Sequence, residues 1–248
     1  MNETIERMLQ HRSIRKFEDR PLSDEEITTI VRSAQAASSS SFVQAYSIIG
    51  VKDPVKKQKL SELAGNQQYV AENGHFFVFC ADLHRHELLG EKEGAEIETA
   101  LESTEKFMVA VIDAALAAQN AAVAAESMGM GICYIGGLRN HLDGVAEILK
   151  TPDRVIPLFG LAVGYPAQNP GVKPRLPIGG VYHEDTYLPD EKHWEQLEEY
   201  NRIVSEYYTG RTAGARSDTW TGQMAAMLSH PSRMYMKEFV NKKGFGNK

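Results

Sequence analysis

Two short stretches of this chain carry basic side chains in patterns suited to catching an anion. In His11-Arg-Ser-Ile-Arg15-Lys16, Arg12 and Arg15 bracket the hydroxyl of Ser13, with His11 and Lys16 at the ends. Guanidinium forks match phosphate oxygens bidentately. Lys173-Pro-Arg175 repeats the pairing with a proline to stiffen it. Taken alone, each is as readily a solvated charge run. The formal net charge of −6 disfavours nonspecific nucleic-acid binding and leaves anion capture to a few local cations. No G-x-S-x-G elbow and no G-x-x-x-x-G-K-[ST] loop occurs, and Gly129-Met-Gly131 has Tyr134 where a dinucleotide fingerprint needs its third glycine. Asp82, His84 and His86 could ligate a metal, but they follow a strand in a polar stretch where solvated side chains are the better reading; His183-Glu184-Asp185 lies in a proline-rich loop, where metal or acid–base chemistry is the lesser reading.

The elements that must position these residues follow from patterning. The stretch from Thr104 to just before Gly129 reads as a long helix of roughly 25 residues, about 37 Å at 1.5 Å per residue. From Phe107 to Ala125 only Asp113, Gln119 and Asn120 are polar, which predicts a buried helix, and Asp113 argues against a membrane span. Gly129 is placed for a left-handed helix end, and a strand with a bare Gly136-Gly137 turn follows, where a flat ligand could lie. Ile5, Met8 and Leu9 give a short first helix. Ser23 with Glu26 forms a capping box and Leu22 with Ile27 a hydrophobic staple, opening a helix at Asp24. Asp53-Pro54 opens another helix, closed by Gly65, and Asn140 is expected to cap one to about Lys150. Strands are expected over 45–51, 76–81 and 155–164, the last bulged or at an edge because of Pro157. Residues 84–103, acid-rich, read as helix with a loop; four prolines keep 165–187 irregular; helices return at about 190–208, 216–229 and 231–243. Cys80 and Cys133 sit in apolar strands and are expected to be buried thiols. The composition, 42% hydrophobic and 24% charged, is that of an ordinary globular protein, and the N-terminus carries no targeting pattern, so the cytoplasm is the expected compartment, with no membrane partner.

Two basic clusters, the Ser38–Ser41 run, Gln67 and a glycine turn suit a ligand with a phosphate tail, a polyhydroxyl middle and a flat hydrogen-bonding head. Flavin mononucleotide (FMN) has that anatomy. The segments His11–Arg15, Ser38–Phe42, Gly65-Asn-Gln67, Ala124–Gly131 running into Tyr134–Asn140, Leu158-Phe-Gly160, Lys173–Pro177, Tyr207-Tyr208-x-x-Arg211 and Asp218-Thr-Trp220 together resemble the nitroreductase superfamily. Within it the chain is similar to the NADPH-dependent oxygen-insensitive nitroreductase and flavin reductase branch.

The resemblance implies an α+β fold: a central, mostly antiparallel sheet flanked by helices around the long helix, with a helical C-terminal excursion. It implies an FMN-binding core over 1–188 and an excursion over 189–248 that wraps the partner of a homodimer and forms part of the NADPH site. Arg15, Lys173 and Arg175, with His11, would hold the FMN phosphate; Arg12, Ser13 and Gln67 would bond ring and ribityl edges. Ser39 would face the cofactor, and Tyr134, Ile135, Gly136 and Gly137 would lie along the ring. Arg211 and Arg216 would contact the 2′-phosphate of NADPH, with NADH as the alternative donor. The implied activity is hydride transfer from NADPH through FMN to nitroarenes, quinones or free flavin, with no catalytic acid, base or metal from the protein. Two alternatives stand beside it: a flavin reductase supplying reduced FMN to a partner enzyme, and a flavin binder without turnover, which would have no use for Arg211 and Arg216.

Overall fold

The computed structural model describes residues 1–248. Helix starts obey local chemistry. Asn2 caps α1 (Glu3–Leu9) by accepting from the Ile5 N–H. The Ser23/Glu26 capping box opens α2 (Asp24–Gln35), and Asp53 accepts the Val55 and Lys56 N–H groups at the start of α3 (Pro54–Leu63). Four strands, β1 (Tyr46–Val51), β2 (His75–Asp82), β3 (Gly131–Ile135) and β4 (Val155–Gly164), form one sheet in the order β1-β2-β4-β3, every pairing antiparallel.

Alternation along β2 explains the layers. Phe77, Phe79 and Ala81 point to the side of α2 and of α6 (Thr104–Ser127), whereas Phe76, Val78 and Cys80 point to the side of α3 and of α7 (Leu142–Leu149). Both faces are covered, so the strand is apolar from Phe76 to Ala81. Pro157 does mark a bulge. Phe79 pairs with Phe159 while Cys80 pairs with Pro157, leaving Leu158 as the extra residue in β4. Ile156 and Leu158 before the bulge, and Leu161 and Val163 after it, therefore reach the α6 side. Both cysteines are buried free thiols.

The long helix departs from expectation on one face. Ala110, Ala114, Ala117, Ala118, Ala121 and Ala125 are buried against the sheet. The opposite face carries Met108, Ile112 and Leu116, exposed by 53%, 45% and 43%. By length and composition it is the one helix able to cross a membrane; its alanine face instead packs on β2 and its neighbours. Gly129, with φ +80°, ends it as expected.

Asn140 does not cap α7. His141 holds that position and Leu142 N–H donates to the Tyr235 hydroxyl, while Asn140 accepts from Arg233 Nε at 3.0 Å. The acid-rich stretch has a structural use. It forms α4 (His84–Glu93) and α5 (Glu98–Leu101), whose Glu87 and Glu98 clamp the buried Arg154 guanidinium, which also donates to the Gly244 carbonyl at 2.8 Å. His84 and His86 are half-buried and partnered, by Glu87 and by the Val43 carbonyl, rather than simply solvated.

The chain forms two compact units, Met1–Pro170 with Arg233–Lys248, and Gly171–Ser232. The last helix, α10 (Met236–Lys242), belongs to the larger unit and packs Phe239 into its core. The smaller unit contains α8 (Asp190–Arg211) and α9 (Trp220–Leu228), joined by hydrogen bonds of the Asn201 side chain with Thr221.

His75 sits buried beside Phe77, ring centroids 4.4 Å apart, and its Nε2 has no partner. Burial, with Lys52 and Lys57 nearby and Asp24 opposing, lowers its pKa from 6.5 to about 4. The unfolded chain thus takes up a proton that the folded chain refuses. Stability should fall as pH drops from about 6.5 to about 4, by up to about 3 kcal/mol. Urea unfolding across that range should show the loss, and His75→Gln should flatten it.

Candidate active site

The basic segment lies along the free edge of β3. Ile14 N–H donates to the Ile132 carbonyl at 2.9 Å and the Ile14 side chain is buried. Alternation turns Ser13 and Arg15 the other way, beside the Cys133 thiol. Burial pushes that thiol's pKa up, with Arg15 and the Ser13 hydroxyl opposing. Residues 165–169 strap the segment down. Ala167 N–H donates to the Lys16 carbonyl at 3.0 Å. The Gln168 amide oxygen accepts the Arg15 and Lys16 N–H groups at 2.6 and 3.2 Å. Asn169 Oδ1 accepts from Arg12 Nε at 2.9 Å, and Arg12 also donates to the Gln10 carbonyl. The Arg15 guanidinium carbon stands 5.9 Å from the Tyr69 ring centre. Arg12 and Arg15 therefore rest on neutral partners, which leave both charges available to an anion.

Gln67 is oriented by a neighbour absent from the sequence reading. Tyr69 donates its hydroxyl proton to Gln67 Oε1 at 2.7 Å, so the amide NH2 is the end left over. That NH2 lies against Gly137: a Cβ there would come within 2.8 Å of Gln67 Nε2 and overlap the Ala64 carbonyl oxygen. Only glycine lets the 64–67 turn and the 136–137 turn meet. Ser13, Arg15, Gln67 and Gly137 thus form one connected patch, through Cys133 and Tyr69, at the β3 edge. It presents bare backbone, amide donors and an uncompensated guanidinium, which fits a flat hydrogen-bonding group with an anionic tail.

The remaining expected residues are distributed differently. His11 Nδ1 meets Glu126 Oε1 at 2.7 Å, at the last turn of α6. The Tyr134 side chain points to the α6 side, donating to Gln119 Oε1 at 3.3 Å and lying edge-on to Phe159; burial and the Glu126 carboxylate raise its pKa. What Tyr134 and Ile135 can offer a ligand is backbone, since Ile135 is buried. Ser39 stands apart. It precedes β1, at the opposite edge of the sheet from β3, roughly three strand spacings or about 14 Å away. Its loop is bonded to Asp113 of α6 through the Ser40 and Ala45 N–H groups.

Within the smaller unit, Lys173 Nζ lies 5.9 Å and the Arg216 guanidinium carbon 4.4 Å from the centre of the Tyr208 ring. Arg211 bonds the Tyr207 hydroxyl, and the two tyrosine rings are 5.3 Å apart. Arg216 spends its Nε on Asp218 at 2.7 Å, which raises its pKa, with a smaller contribution from the Tyr208 hydroxyl. Arg175 folds back on the Lys173 and Pro174 carbonyls. Lys173, expected beside Arg175, shares Tyr208 with Arg216 instead. No side-chain role in the site was read from the sequence for Tyr69, Cys133, Glu126 or Asp218; of these, only Tyr69, two residues after Gln67, and Asp218, two after Arg216, had a local signal.

Residues 8–165 match the model of the nitroreductase family, and residues 173–248 match that of the nitroreductase family, C-terminal domain. The chain is 59% identical over 248 residues to FMN reductase (NADPH) of Bacillus subtilis, covering 99% of each. Among solved structures it is similar to B. megaterium NfrA1, with TM-score 0.98, 65% identity and coverage of 99% and 100%. It is also similar to NADPH:FMN oxidoreductase from Vibrio harveyi complexed with NAD+, with TM-score 0.90, 39% identity and full coverage of both chains.

The two glycines of the turn should respond differently to a methyl group. Gly137→Ala meets backbone at Ala64 and should cost about 1–3 kcal/mol in denaturant unfolding. Gly136→Ala meets only the Arg139 guanidinium at 3.1 Å, a flexible neighbour, and should be tolerated.

Proposed function

This chain belongs to the nitroreductase family, and from that premise we propose that it is an FMN-dependent NADPH oxidoreductase of the cytoplasm, reducing nitroarenes, quinones or free flavin. The observation that carries the reading is the patch at the β3 edge, where the uncompensated Arg15, the Gln67 NH2 and the bare Gly136–Gly137 backbone lie side by side. In our proposal Arg15, Lys173 and Arg175, with His11, hold the FMN phosphate, and Arg12, Ser13 and Gln67 bond the ring and ribityl edges. Tyr134 to Gly137 provide the surface along the ring. Bound FMN supplies two-electron carriage between a nicotinamide and an acceptor that use one cleft in turn.

The protein's own contribution is placement and charge. Gln67 can donate to a ring heteroatom because Tyr69 occupies its oxygen. Arg12, held at Nε by Asn169, keeps its remaining donors in position to stabilise negative charge at a flavin edge. Arg211 and Arg216 suit the 2′-phosphate of NADPH, each exposed and lying over a tyrosine ring. The relative named FMN reductase (NADPH) favours free flavin as one acceptor, and shuttling of reduced FMN to a partner enzyme would follow from it.

The same reading makes the protein a homodimer. Met108, Ile112 and Leu116 form a stripe at helical spacing that a single chain leaves in water, and Phe42 is 82% exposed. A second copy covering them would also bring Ser39 to a site its own chain does not complete.

Purified protein should be yellow, and anaerobic NADPH should bleach the band of oxidised flavin; a colourless protein, or a band untouched by NADPH, would contradict the assignment. Arg15→Ala should lose about 1.5–3 kcal/mol of FMN affinity, the worth of a charge-assisted phosphate contact; equal occupancy in variant and parent would remove Arg15 from the site. Ile112→Glu should turn a dimer into a monomer by light scattering, with loss of FMN; an unchanged mass would place the interface elsewhere.

A further inference from the structure

One side chain holds the loop that carries Ser39. Asp113, 1% exposed in the middle of α6, accepts the Ser40 N–H at 2.9 Å and the Ala45 N–H at 3.0 Å. A single carboxylate thus grips both ends of the segment. Between those ends Ser41, Phe42 and Gln44 have φ of 48°, 59° and 53°, a left-handed conformation that residues with side chains disfavour. Taking a carboxylate out of water to serve two amides is costly, and so is a run of left-handed residues. The loop contributes little core in return, since Ser41, Phe42 and Gln44 are all exposed. Strain of this kind persists where the surroundings over-determine one shape, and it collects where shape matters to function. Asp113 also follows Ile112 and precedes Leu116 by three residues, so α6 ties the loop to the exposed apolar stripe.

We propose that Asp113 is a positioning residue: it fixes the Ser39–Gln44 loop in the shape that delivers Ser39 to the flavin site of a second copy of this chain. The proposal rests on the dimeric flavoprotein reading above. Asp113 touches neither cofactor nor acceptor. It acts through the Ser40 and Ala45 amides, and the partner copy is required because Ser39 and the Gly136–Gly137 turn lie at opposite sheet edges.

Asp113→Asn keeps the volume and turns one acceptor oxygen into an NH2 that faces an amide donor. In the apo dimer, hydrogen exchange at the Ser40 and Ala45 amides should accelerate, and the FMN dissociation constant should rise roughly tenfold, with the dimer mass unchanged. Ser39→Ala should also weaken FMN binding, and Ser39→Ala with Asp113→Asn should be no weaker than Asp113→Asn alone. A merely structural Asp113 would give additive losses instead, and that result would overturn the proposal. Ser41→Gly supplies a second arm should Asp113→Asn fail to fold. It leaves Asp113 in place and relieves a left-handed residue, so the melting temperature should hold or rise while FMN binding weakens through a looser loop. FMN affinity equal to the parent's in Ser41→Gly, or in a folded Asp113→Asn, would overturn the proposal while leaving the flavoprotein reading intact. A parent that binds no FMN would instead sink that reading, and this proposal with it.

Discussion

The larger unit depends on how closely α6 can lie on the sheet. Its buried face is a line of alanines, so the helix backbone approaches the strands and leaves the volume between them to Phe77, Phe79, Ile132, Leu161 and Val163. Alanine also loses no rotamer freedom there and favours the helix more than any other residue. A bulky residue at Ala117 or Ala121 would lift the helix and take with it both things it positions. At its C-terminal end the Gly129 turn delivers the chain into β3 and so into the glycine turn. At its middle Asp113 sets the loop before β1. One packing distance therefore registers two edges of the sheet.

What the sequence disclosed, and what it hid, divides by range. The Ser23 capping box, the Asp53-Pro54 start, the Gly129 stop and the irregularity at Pro157 are decided by residues within a few positions of each other, and each appears where local chemistry puts it. Asn140 misled because its side chain had a more distant offer: Arg233, 93 residues on, took the oxygen that would have capped the helix. The His11–Glu126 pair, 115 residues apart, carries no spacing signal at all. The exposed stripe on α6 was hidden for another reason. Patterning shows that Met108, Ile112 and Leu116 avoid water; it does not show whether the cover is the same chain or another. The basic residues were legible as a class, but their grouping was not: Lys173, before α8, keeps company with Arg216, between α8 and α9, because both lie over Tyr208 of α8.

A common device runs through the cations of both units. Arg15 lies near Tyr69, Lys173 and Arg216 near Tyr208, Arg211 near Tyr207, and Arg20 3.7 Å from the centre of the Tyr165 ring. An aromatic face attracts a cation without consuming its N–H donors. A carboxylate would do the opposite, neutralising the charge and occupying the fork. In a chain of net charge −6, tyrosine support keeps Arg15 and Lys173 free of acidic partners, whereas Arg20 and Arg216 also pair with Glu26 and Asp218.

The extra residue in β4 has a consequence for how this sheet can change over time. Leu158 is extra to the ladder, so the two halves of β4 keep the faces set by their partners in β2, Ile156 opposite Ala81 and Leu161 opposite Phe77. Deleting Leu158 would straighten the strand without turning Leu161 or Val163 off the α6 side, because each would still face the same residue of β2. β3, paired with the part of β4 beyond the bulge, would keep its register too, and with it the glycine turn. At this one point the sheet has absorbed a change of chain length without exchanging its two layers.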